Sequence, residues 1–113
     1  MRLTYSYDDV LLLPQYSDIR SRSEIDISTD LGKNVTLEVP IVSSPMDTVS
    51  GHRMALVMTE CGGAGVLHRY NTIDVQWSEL VEFKVSANKG GTVGAAIGIS
   101  GDYLERARIL YEA

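Results

Sequence analysis

The fold is decided by the stretch Ile41-Val42-Ser43-Ser44-Pro45-Met46-Asp47-Thr48-Val49, where a short apolar strand runs into small polar residues. Two further short apolar stretches follow, over 64–67 and 92–99. The last is apolar throughout apart from its glycines, which is typical of a parallel strand covered on both faces. The strands recur about every 25 residues, a period that predicts parallel strands joined by right-handed crossovers.

A helix is predicted after each of these strands, over 50–61, 72–85 and 102–113. Apolar residues recur in each at the spacing of one helical face, so each helix is expected to pack that face against the sheet. The residues predicted to face inward are Met54, Val57, Met58 and Cys61, then Ile73, Trp77, Leu80 and Val81, and finally Tyr103, Ala107, Leu110 and Tyr111.

Capping residues and glycines mark where these helices begin and end. Asn71 or Thr72 is predicted to cap the second helix, and Asp102 with Glu105 has the spacing of a capping box at the third. Glycine pairs close the first two helices, as glycine past a helix C-terminus often does. A dinucleotide fingerprint follows a strand and opens a helix, whereas these glycine runs do the opposite, so a Rossmann fold is rejected.

The residues before the first parallel strand have a different pattern. Alternating apolar and polar residues over 24–39, around Gly32-Lys33-Asn34, predict a β-hairpin. One face of the hairpin is expected to be buried against another surface. Residues 1–22 are irregular, and their apolar run over 10–13 suits either a strand or a buried helical turn.

Length and composition bound the class of protein. The 113 residues are 44% hydrophobic and 22% charged, which are globular values, and they divide into an extension with a hairpin over 1–40 and a β/α part over 41–113. Ten Lys and Arg against fifteen Asp and Glu give a net charge of −5, which disfavours nucleic-acid binding. Because there is no signal-peptide core, no apolar run of roughly 18 residues and a single cysteine, we expect a soluble cytoplasmic protein without membrane contact.

Small polar residues collect where the first strand ends. Ser43, Ser44, Asp47 and Thr48 lie at or just past its carboxyl end, which is where barrels and open α/β sheets bind ligands. The alternative is a helix cap made by Asp47, Thr48 or Ser50, since such residues gather at strand ends in any case. The local sequence leaves both interpretations open.

Two histidines, an arginine and a cysteine complete the candidate residues. His68-Arg69 follows the second strand and suits a phosphate or nucleotide, with an exposed loop as the alternative. His52 has no partner suggested by the sequence and is expected at the surface. Cys61 closes an apolar stripe, so we predict a buried, inert thiol and not a nucleophile. No metal-ligand spacing surrounds it, and no metal site is predicted.

Several segments together resemble the IMP dehydrogenase/GMP reductase family. The string from Ser43 to Val49 is highly specific for that family, and the run before Pro14 matches its usual opening with Ser6 where Thr is common. The matching segments run in family order and cover nearly the whole chain. They are Leu3-Thr4-Tyr5-Ser6-Tyr7-Asp8-Asp9-Val10-Leu11-Leu12-Leu13-Pro14, 41–49, Gly62-Gly63-Ala64-Gly65-Val66-Leu67-His68-Arg69 and Val93-Gly94-Ala95-Ala96-Ile97-Gly98.

The resemblance implies an α/β fold made of the first three βα units of a (β/α)8 TIM barrel, preceded by the hairpin. It implies an oxidoreductase of purine nucleotide biosynthesis, usually a homotetramer. IMP dehydrogenase oxidises IMP to XMP with NAD, and GMP reductase converts GMP to IMP and ammonia with NADPH. The family also uses potassium, whose site is not in this chain.

The same resemblance implies roles for individual residues. Ser44 and Met46 would bind the substrate, with Met46 against the base and Ser44 near the ribose and phosphate. Ser43, Asp47 and Thr48 would shape the site around them. The pair His68 and Arg69 matches a position on the cofactor side or at a subunit contact.

The resemblance also predicts a chain that is inactive alone. The family's catalytic cysteine lies in a downstream loop that this sequence does not contain, and Cys61 cannot inherit its role, so no catalytic residue is assigned. A full barrel needs about 250 residues, which makes a truncated parent the leading interpretation.

Which enzyme the parent is stays open. Many dehydrogenases insert a pair of CBS domains before the third strand, where only residues 85–92 stand here, and this favours the reductase. The Ser-Ser-Pro-Met string favours the dehydrogenase. A further alternative is a non-catalytic nucleotide-binding or interaction module that closes its open sheet edges by self-association.

Overall fold

The computed structural model of the chain describes residues 3–88 and 90–113. Met1, Arg2 and Lys89, which belong to the predicted irregular N-terminus and to the connection over 85–92, lie outside the described residues. Strands and helices alternate after an N-terminal hairpin, so the mixed α/β class is confirmed. None of the helices in the described ranges has the length and apolar composition needed to cross a membrane.

The hairpin consists of β1 (Thr29–Gly32) and β2 (Val35–Leu37), which pair antiparallel. Lys33 and Asn34 form its turn with φ angles of 52° and 66°, the pair of left-handed residues that a type I′ turn requires. The predicted hairpin is therefore confirmed but shorter than 24–39. A register shift within β1 adds one unpaired residue, as in a β-bulge, and interrupts the alternation there.

The buried face of the hairpin is small. Leu37 is 2% exposed, whereas Ile25 and Ile27 before β1 are about half exposed. The backbone N–H of Val39 donates to the Gly62 carbonyl oxygen at 2.9 Å, so the chain leaving the hairpin is tied to the turn before the second parallel strand. The hairpin thus covers the end of the sheet at which the parallel strands begin.

The residues before the hairpin lie exposed along the surface. Tyr7–Asp9 forms one turn of 3-10 helix, whose Ser6 and Asp9 hydrogen-bond to each other as a capping box. The apolar run over 10–13 is neither strand nor helix, and Leu11 and Leu12 are each 98% exposed. Both structures predicted for this run are therefore wrong.

The parallel sheet has β3 (Gly65–Leu67) at its centre. β3 pairs with β4 (Val93–Ala95), and the chain just before β3 forms a single parallel bridge with Val42. The strands predicted over 41–44 and 92–99 are thus in place, but they are much shorter than predicted.

The first strand is short because a side-chain oxygen of Ser43 accepts a hydrogen bond that a backbone carbonyl oxygen would accept in a regular sheet. Ser43 still donates its N–H to the Ala64 carbonyl oxygen at 3.0 Å. One step later the Val66 N–H donates to the Ser43 hydroxyl oxygen at 3.2 Å, where a regular ladder would use a backbone carbonyl. The backbone is therefore released from the sheet at Ser43 and turns away.

Three helices cover the sheet: α1 (His52–Glu60), α2 (Ile73–Ser86) and α3 (Tyr103–Glu112), close to their predicted bounds. The predicted cap of α2 is confirmed, because the Thr72 hydroxyl oxygen accepts from the Val75 N–H at 3.4 Å. The predicted capping box of α3 is wrong, since Asp102 makes no cap hydrogen bond and binds Arg106 instead.

Much of the predicted burial on these helices is wrong. α1 approaches the sheet at Ala55, which is fully buried, and not along the stripe of larger side chains. The reason is the close contact between Ala55 and Gly65 of β3, which admits only small residues. The residues predicted inward but found exposed are Met54, Val57, Cys61, Trp77 and Tyr111.

The core lies between the sheet and the inner faces of the three helices. It is one cluster, to which every helix and β3 contribute. Its buried members are Ala55, Leu67, Leu80, Phe83 and Leu110. The helical spacing predicts Leu80 and Leu110 among these, and burial of such side chains is the main stabilising contribution to a domain of this size.

Candidate functional site

The carboxyl ends of the parallel strands meet at one edge of the sheet. The loop over 44–50 follows the first strand, His68 and Arg69 follow β3, and Gly98 lies beyond β4. This is the edge at which open α/β sheets and barrels bind ligands, and the hairpin covers the opposite end. The structure therefore brings the predicted site residues to one side of the molecule.

Ser50 joins the two ends of the loop over 44–50. Its side chain is fully buried, its hydroxyl donates to the Ser44 carbonyl oxygen, and it lies 2.8 Å from the Ser43 hydroxyl oxygen. Its carbonyl oxygen accepts from the His68 N–H at 3.2 Å. Ser50 thus ties the loop to the end of β3, a role that sequence reasoning missed because it considered this residue only as a helix cap.

The loop is wound tightly around Met46. The Met46 N–H donates to the Ser44 carbonyl oxygen at 2.8 Å, and the N–H groups of Val49 and Ser50 donate to the Met46 carbonyl oxygen at 3.0 and 2.9 Å. The side chain of Met46 is half-exposed, and Ser44 is exposed beside it. The backbone of the loop is therefore held in place while both predicted substrate-binding residues remain accessible.

The helix-cap alternative for Asp47, Thr48 and Ser50 is wrong. The residue at the cap position of α1 is Gly51, which has no side chain to offer. Asp47 and Thr48 are exposed and line an open groove of about 520 Å³ along the start of α1. The other residues that line this groove are Val49, Gly51, His52, Arg53, Met54, Val57 and Glu79.

His52, which was expected at the surface, is partly buried and has two partners that the sequence does not suggest. The His52 ring nitrogen Nδ1 lies 3.1 Å from Glu79 and 3.2 Å from Glu82, two carboxylates one helical turn apart on α2. Glu79 also accepts a hydrogen bond from the backbone N–H of His52. Because these residues are 27 or more positions apart in the chain, only the packing of α1 on α2 reveals the contact.

His68 and Arg69 lie at the same edge, and the Arg69 side chain reaches Gly98, beyond β4. The Tyr70 ring stacks on the His68 ring. The Arg69 guanidinium lies over the Tyr70 ring, with its Cζ 5.7 Å from the centre of that ring. Gly98, with φ 76°, leaves room for that guanidinium, since a Cβ there would lie 3.0 Å from Arg69 Cζ. Arg69 is exposed, so it offers a held cation at the carboxyl ends of β3 and β4.

A buried polar network lies behind this edge, and sequence reasoning missed it. Arg106 is 5% exposed and donates to Gln76 Oε1 at 2.8 Å, to the Asn71 carbonyl oxygen at 3.0 Å and to Asp102 at 2.8 Å. Gln76 is fully buried and donates to the carbonyl oxygen of Ala96 at 2.9 Å, just past β4. The network thereby ties α2 and α3 to the strand ends.

The network also lowers the pKa of one carboxylate. Its hydrogen bond from Arg106 holds the pKa of Asp102 below the ordinary value, against a smaller opposing effect of burial. The sequence contains a signal for both buried polar residues. Gln76 precedes Leu80 by four positions, and Arg106 precedes Leu110 by four positions, so each lies on the inward face of its helix. The periodicity of the apolar residues alone does not reveal them.

Cys61 is exposed, so the prediction of a core thiol is wrong. It follows α1 at the end of the sheet where β3 begins, whereas Ser44 and Met46 lie at the end where the strands finish. The fold thus separates this thiol from the candidate site. Among the described residues, no cluster of three or more His, Cys, Asp or Glu side chains is arranged to hold a metal ion.

Known proteins similar to this chain carry two related names. An inosine-5'-monophosphate dehydrogenase from Nitrosopumilus maritimus (strain SCM1) is 47% identical over 83 residues, which are 74% of this chain and 17% of that protein. A GMP reductase from Leishmania donovani is 49% identical over 79 residues, or 70% of this chain and 16% of that protein. This chain thus spans about one sixth of the length of these curated relatives.

A family assignment extends over more of the sequence. Residues 4–113 match the family described as IMP dehydrogenase / GMP reductase domain. The match includes the loop over 44–50, both strand ends of the candidate edge and all three helices. The chain therefore belongs to the IMP dehydrogenase/GMP reductase family, as the resemblance of its sequence predicted.

Proposed function

We propose that the carboxyl edge of the sheet holds a purine nucleotide, and that this chain is the substrate-holding first part of an IMP dehydrogenase. The observation that carries the proposal is the loop over 44–50. Its backbone is fastened through Ser50 and Met46 while the side chains of Met46 and Ser44 stay exposed. A held loop with accessible side chains binds a ligand without first having to be ordered.

Within this proposal the side chains have distinct tasks. Met46 offers a polarisable apolar surface against the base, and Ser44 a hydroxyl to the ribose and phosphate. Ser43 keeps the strand end in shape through its hydrogen bond from Val66, and Asp47 with Thr48 forms the wall toward the groove. The reaction of the whole protein would be oxidation of IMP to XMP.

We assign the cofactor side of the edge to His68 and Arg69. The exposed Arg69 guanidinium fits a phosphate group, because it forms charge-assisted hydrogen bonds with phosphate oxygens and Tyr70 holds it in place. NAD, or NADP in a reductase, would supply hydride transfer when bound there. We assign the family's potassium to no residue of this chain.

The same proposal extends to the architecture. Residues 41–113 would be the first three βα units of a (β/α)8 TIM barrel, and residues 1–40 an extension with a hairpin that closes the bottom of that barrel. The parallel pairing of β3 with β4 and the bridge at Val42 support this arrangement. The exposed strand edges and the family's usual tetramer support association with further chains of the same kind.

A GMP reductase, which converts GMP to IMP with NADPH, is the second candidate. The connection between α2 and β4 favours it, because only residues 87–92 separate them and no CBS pair is inserted there. Relatives of both names match at similar identity. A non-catalytic nucleotide-binding or interaction module is the third.

Nucleotide binding tests the proposed site. We expect the purified chain to bind IMP or GMP in titration calorimetry, and Ser44→Ala to weaken that binding by about tenfold, the effect of one lost hydrogen bond to a charged group. Ser86→Ala, which removes an exposed hydroxyl at the C-terminal end of α2, is the matched control and should bind as the wild type does. If neither IMP nor GMP gives a heat of binding, the proposed site is wrong.

Turnover by the chain alone is a separate test. We expect no conversion of IMP with NAD, or of GMP with NADPH, because the only thiol, Cys61, lies at the wrong end of the sheet to form a covalent purine adduct. Absorbance of the reduced cofactor measures either reaction. A signal above that of a heat-denatured sample would disprove the division of labour between substrate-holding and catalytic parts.

A further inference from the structure

We infer that Glu79 is a positioning residue for the loop over 44–50: from α2 it holds the first turn of α1, and through that turn it sets the place of Ser44 and Met46. The inference rests on the proposed function of this loop. It concerns a side chain that touches neither of those two residues, and it follows from three observations on the start of α1.

The start of α1 has no cap of its own. The first backbone N–H groups of any helix lack partners within the helix, and a capping side chain normally accepts from one of them. Here the cap position is Gly51 and the first turn contains no acidic residue. The Glu79 carboxylate accepts from the His52 N–H instead, and it also places a negative charge at the positive end of the helix dipole.

The glycine at the cap position makes room for this carboxylate. A Cβ built on Gly51 would lie 3.0 Å from the nearer carboxylate oxygen of Glu79, closer than side chains normally pack. The His52 ring nitrogen lies 3.1 Å from the same oxygen. The carboxylate is thus enclosed by the cap residue, the backbone N–H and the imidazole, and it is 27% exposed.

The held turn is directly continuous with the substrate loop. Gly51 follows Ser50, whose N–H donates to the Met46 carbonyl oxygen at 2.9 Å and whose hydroxyl donates to the Ser44 carbonyl oxygen. A shift of the first turn of α1 therefore moves Ser50, and with it the two carbonyl groups that define the loop. Glu79 is thus connected to the site through the first turn of α1 and Ser50, although it belongs to another helix.

Glu82 provides a matched control. It contacts the same imidazole at 3.2 Å from the same face of α2, but it makes no hydrogen bond to the backbone of α1 and its side chain is 58% exposed. Removing either carboxylate changes the net charge by the same amount and removes one partner of His52. Only Glu79→Ala also removes the acceptor for the His52 N–H.

The experiment compares Glu79→Ala, Glu79→Gln and Glu82→Ala in the 113-residue chain. Amide NMR spectra without nucleotide report the loop directly, and calorimetry with IMP reports its function. We expect Glu79→Ala to shift the amide signals of residues 44–50 and to weaken IMP binding by about tenfold, as for a lost charge-assisted hydrogen bond. Glu82→Ala should stay within about twofold of the wild type, as exposed ion pairs do. Glu79→Gln keeps an acceptor oxygen and should recover most of the affinity.

The outcomes separate this inference from the proposed function. If the wild type does not bind IMP, the proposed function fails, and the spectra without nucleotide still decide on Glu79. Equal shifts of the loop signals in Glu79→Ala and Glu82→Ala would overturn the inference. So would a failure of Glu79→Gln to restore them.

A variant that retains every acidic side chain guards against misfolding of Glu79→Ala. In Gly51→Ala the new methyl group pushes the Glu79 carboxylate away from the cap, so the same loop signals should shift in the same direction. Unchanged loop signals in folded Gly51→Ala would contradict the role of Glu79.

Discussion

Gly65→Ala is expected to lower the free energy of unfolding by about 3 kcal/mol or more, at the upper end of the cost of overpacking a core. A Cβ on Gly65 would lie 2.3 Å from Ala55 Cα and 2.4 Å from Ala55 Cβ. These are atoms of the α1 backbone and of its shortest side chain, so no rotamer change relieves the clash. The whole helix must retreat from the sheet, and the core contacts that it makes are loosened with it.

The neighbouring strand supplies the control for this substitution. Gly94 pairs with Val66 in the same sheet, and a Cβ there would lie 3.3 Å from the end of the Val66 side chain and in ordinary contact, at 3.8 Å, with the Gly65 carbonyl oxygen. Gly94→Ala should therefore cost no more than about 1 kcal/mol. Urea unfolding followed by circular dichroism measures both variants. Equal midpoints for Gly65→Ala and Gly94→Ala would disprove the tight packing of α1 on β3.

Arg106→Met is expected to cost about 3 kcal/mol of unfolding free energy, near the lower end of the range for removing one partner from a buried ionic network. The substitution keeps an unbranched apolar stem but removes the guanidinium, which leaves the Gln76 amide oxygen and the Asn71 carbonyl oxygen without their donor. Buried acceptors that lose a partner are not rehydrated. Asp102 is about half exposed and regains water, which keeps the loss from being larger.

Arg108 tests whether this loss comes from the network or from the charge of α3. It lies exposed on the same helix, so Arg108→Met makes the same chemical change without breaking buried hydrogen bonds. Its effect should remain within about 0.5 kcal/mol. Thermal unfolding of the two variants at one ionic strength gives the comparison, and a similar loss in both would rule out a structural role for the buried guanidinium.

The pH dependence of the same variant gives a second measurement. Because the Arg106 hydrogen bond lowers the pKa of folded Asp102, the native state releases this proton more readily than the unfolded chain does. The resulting stabilisation is present above about pH 4, the ordinary range of an aspartate, and is lost as the pH falls through the lower folded pKa. Arg106→Met should lack this component of the acid-induced loss. If the unfolding free energies of the wild type and Arg106→Met fall in parallel below pH 4, this expectation is wrong.

The alternation of strands and helices was predictable because it depends on local patterns. Apolar stretches over 41–44 and 64–67, with intervening helical periodicity, indicate the elements without knowledge of their partners. The string from Ser43 to Val49 further predicted the family. Strand length was not predictable in this way, since the first strand ends where the Ser43 hydroxyl takes the hydrogen bond that its backbone would otherwise accept.

The buried faces of the helices show why local patterns are insufficient. A stripe of Met54 and Val57 looks like a core face, but α1 instead turns Ala55 toward the sheet because Gly65 leaves space there for a small residue only. Ala55 and Gly65 are ten positions apart in the chain and belong to different elements. Close packing is decided by such pairs of surfaces, and hydrophobicity along one helix describes only one of them.

The sequence by itself determined the α/β order, the three helices, the family and the position of Ser44 and Met46 after the first parallel strand. Only the tertiary structure decided how that loop is held, by Ser50 and by Glu79 from α2, and that Arg106 on Gln76 ties the helices to the strand ends. The physical reason is that polar groups removed from water must find partners wherever the packing places them. Those partners lie 6, 27 and 30 positions away along the chain, beyond the reach of any local pattern.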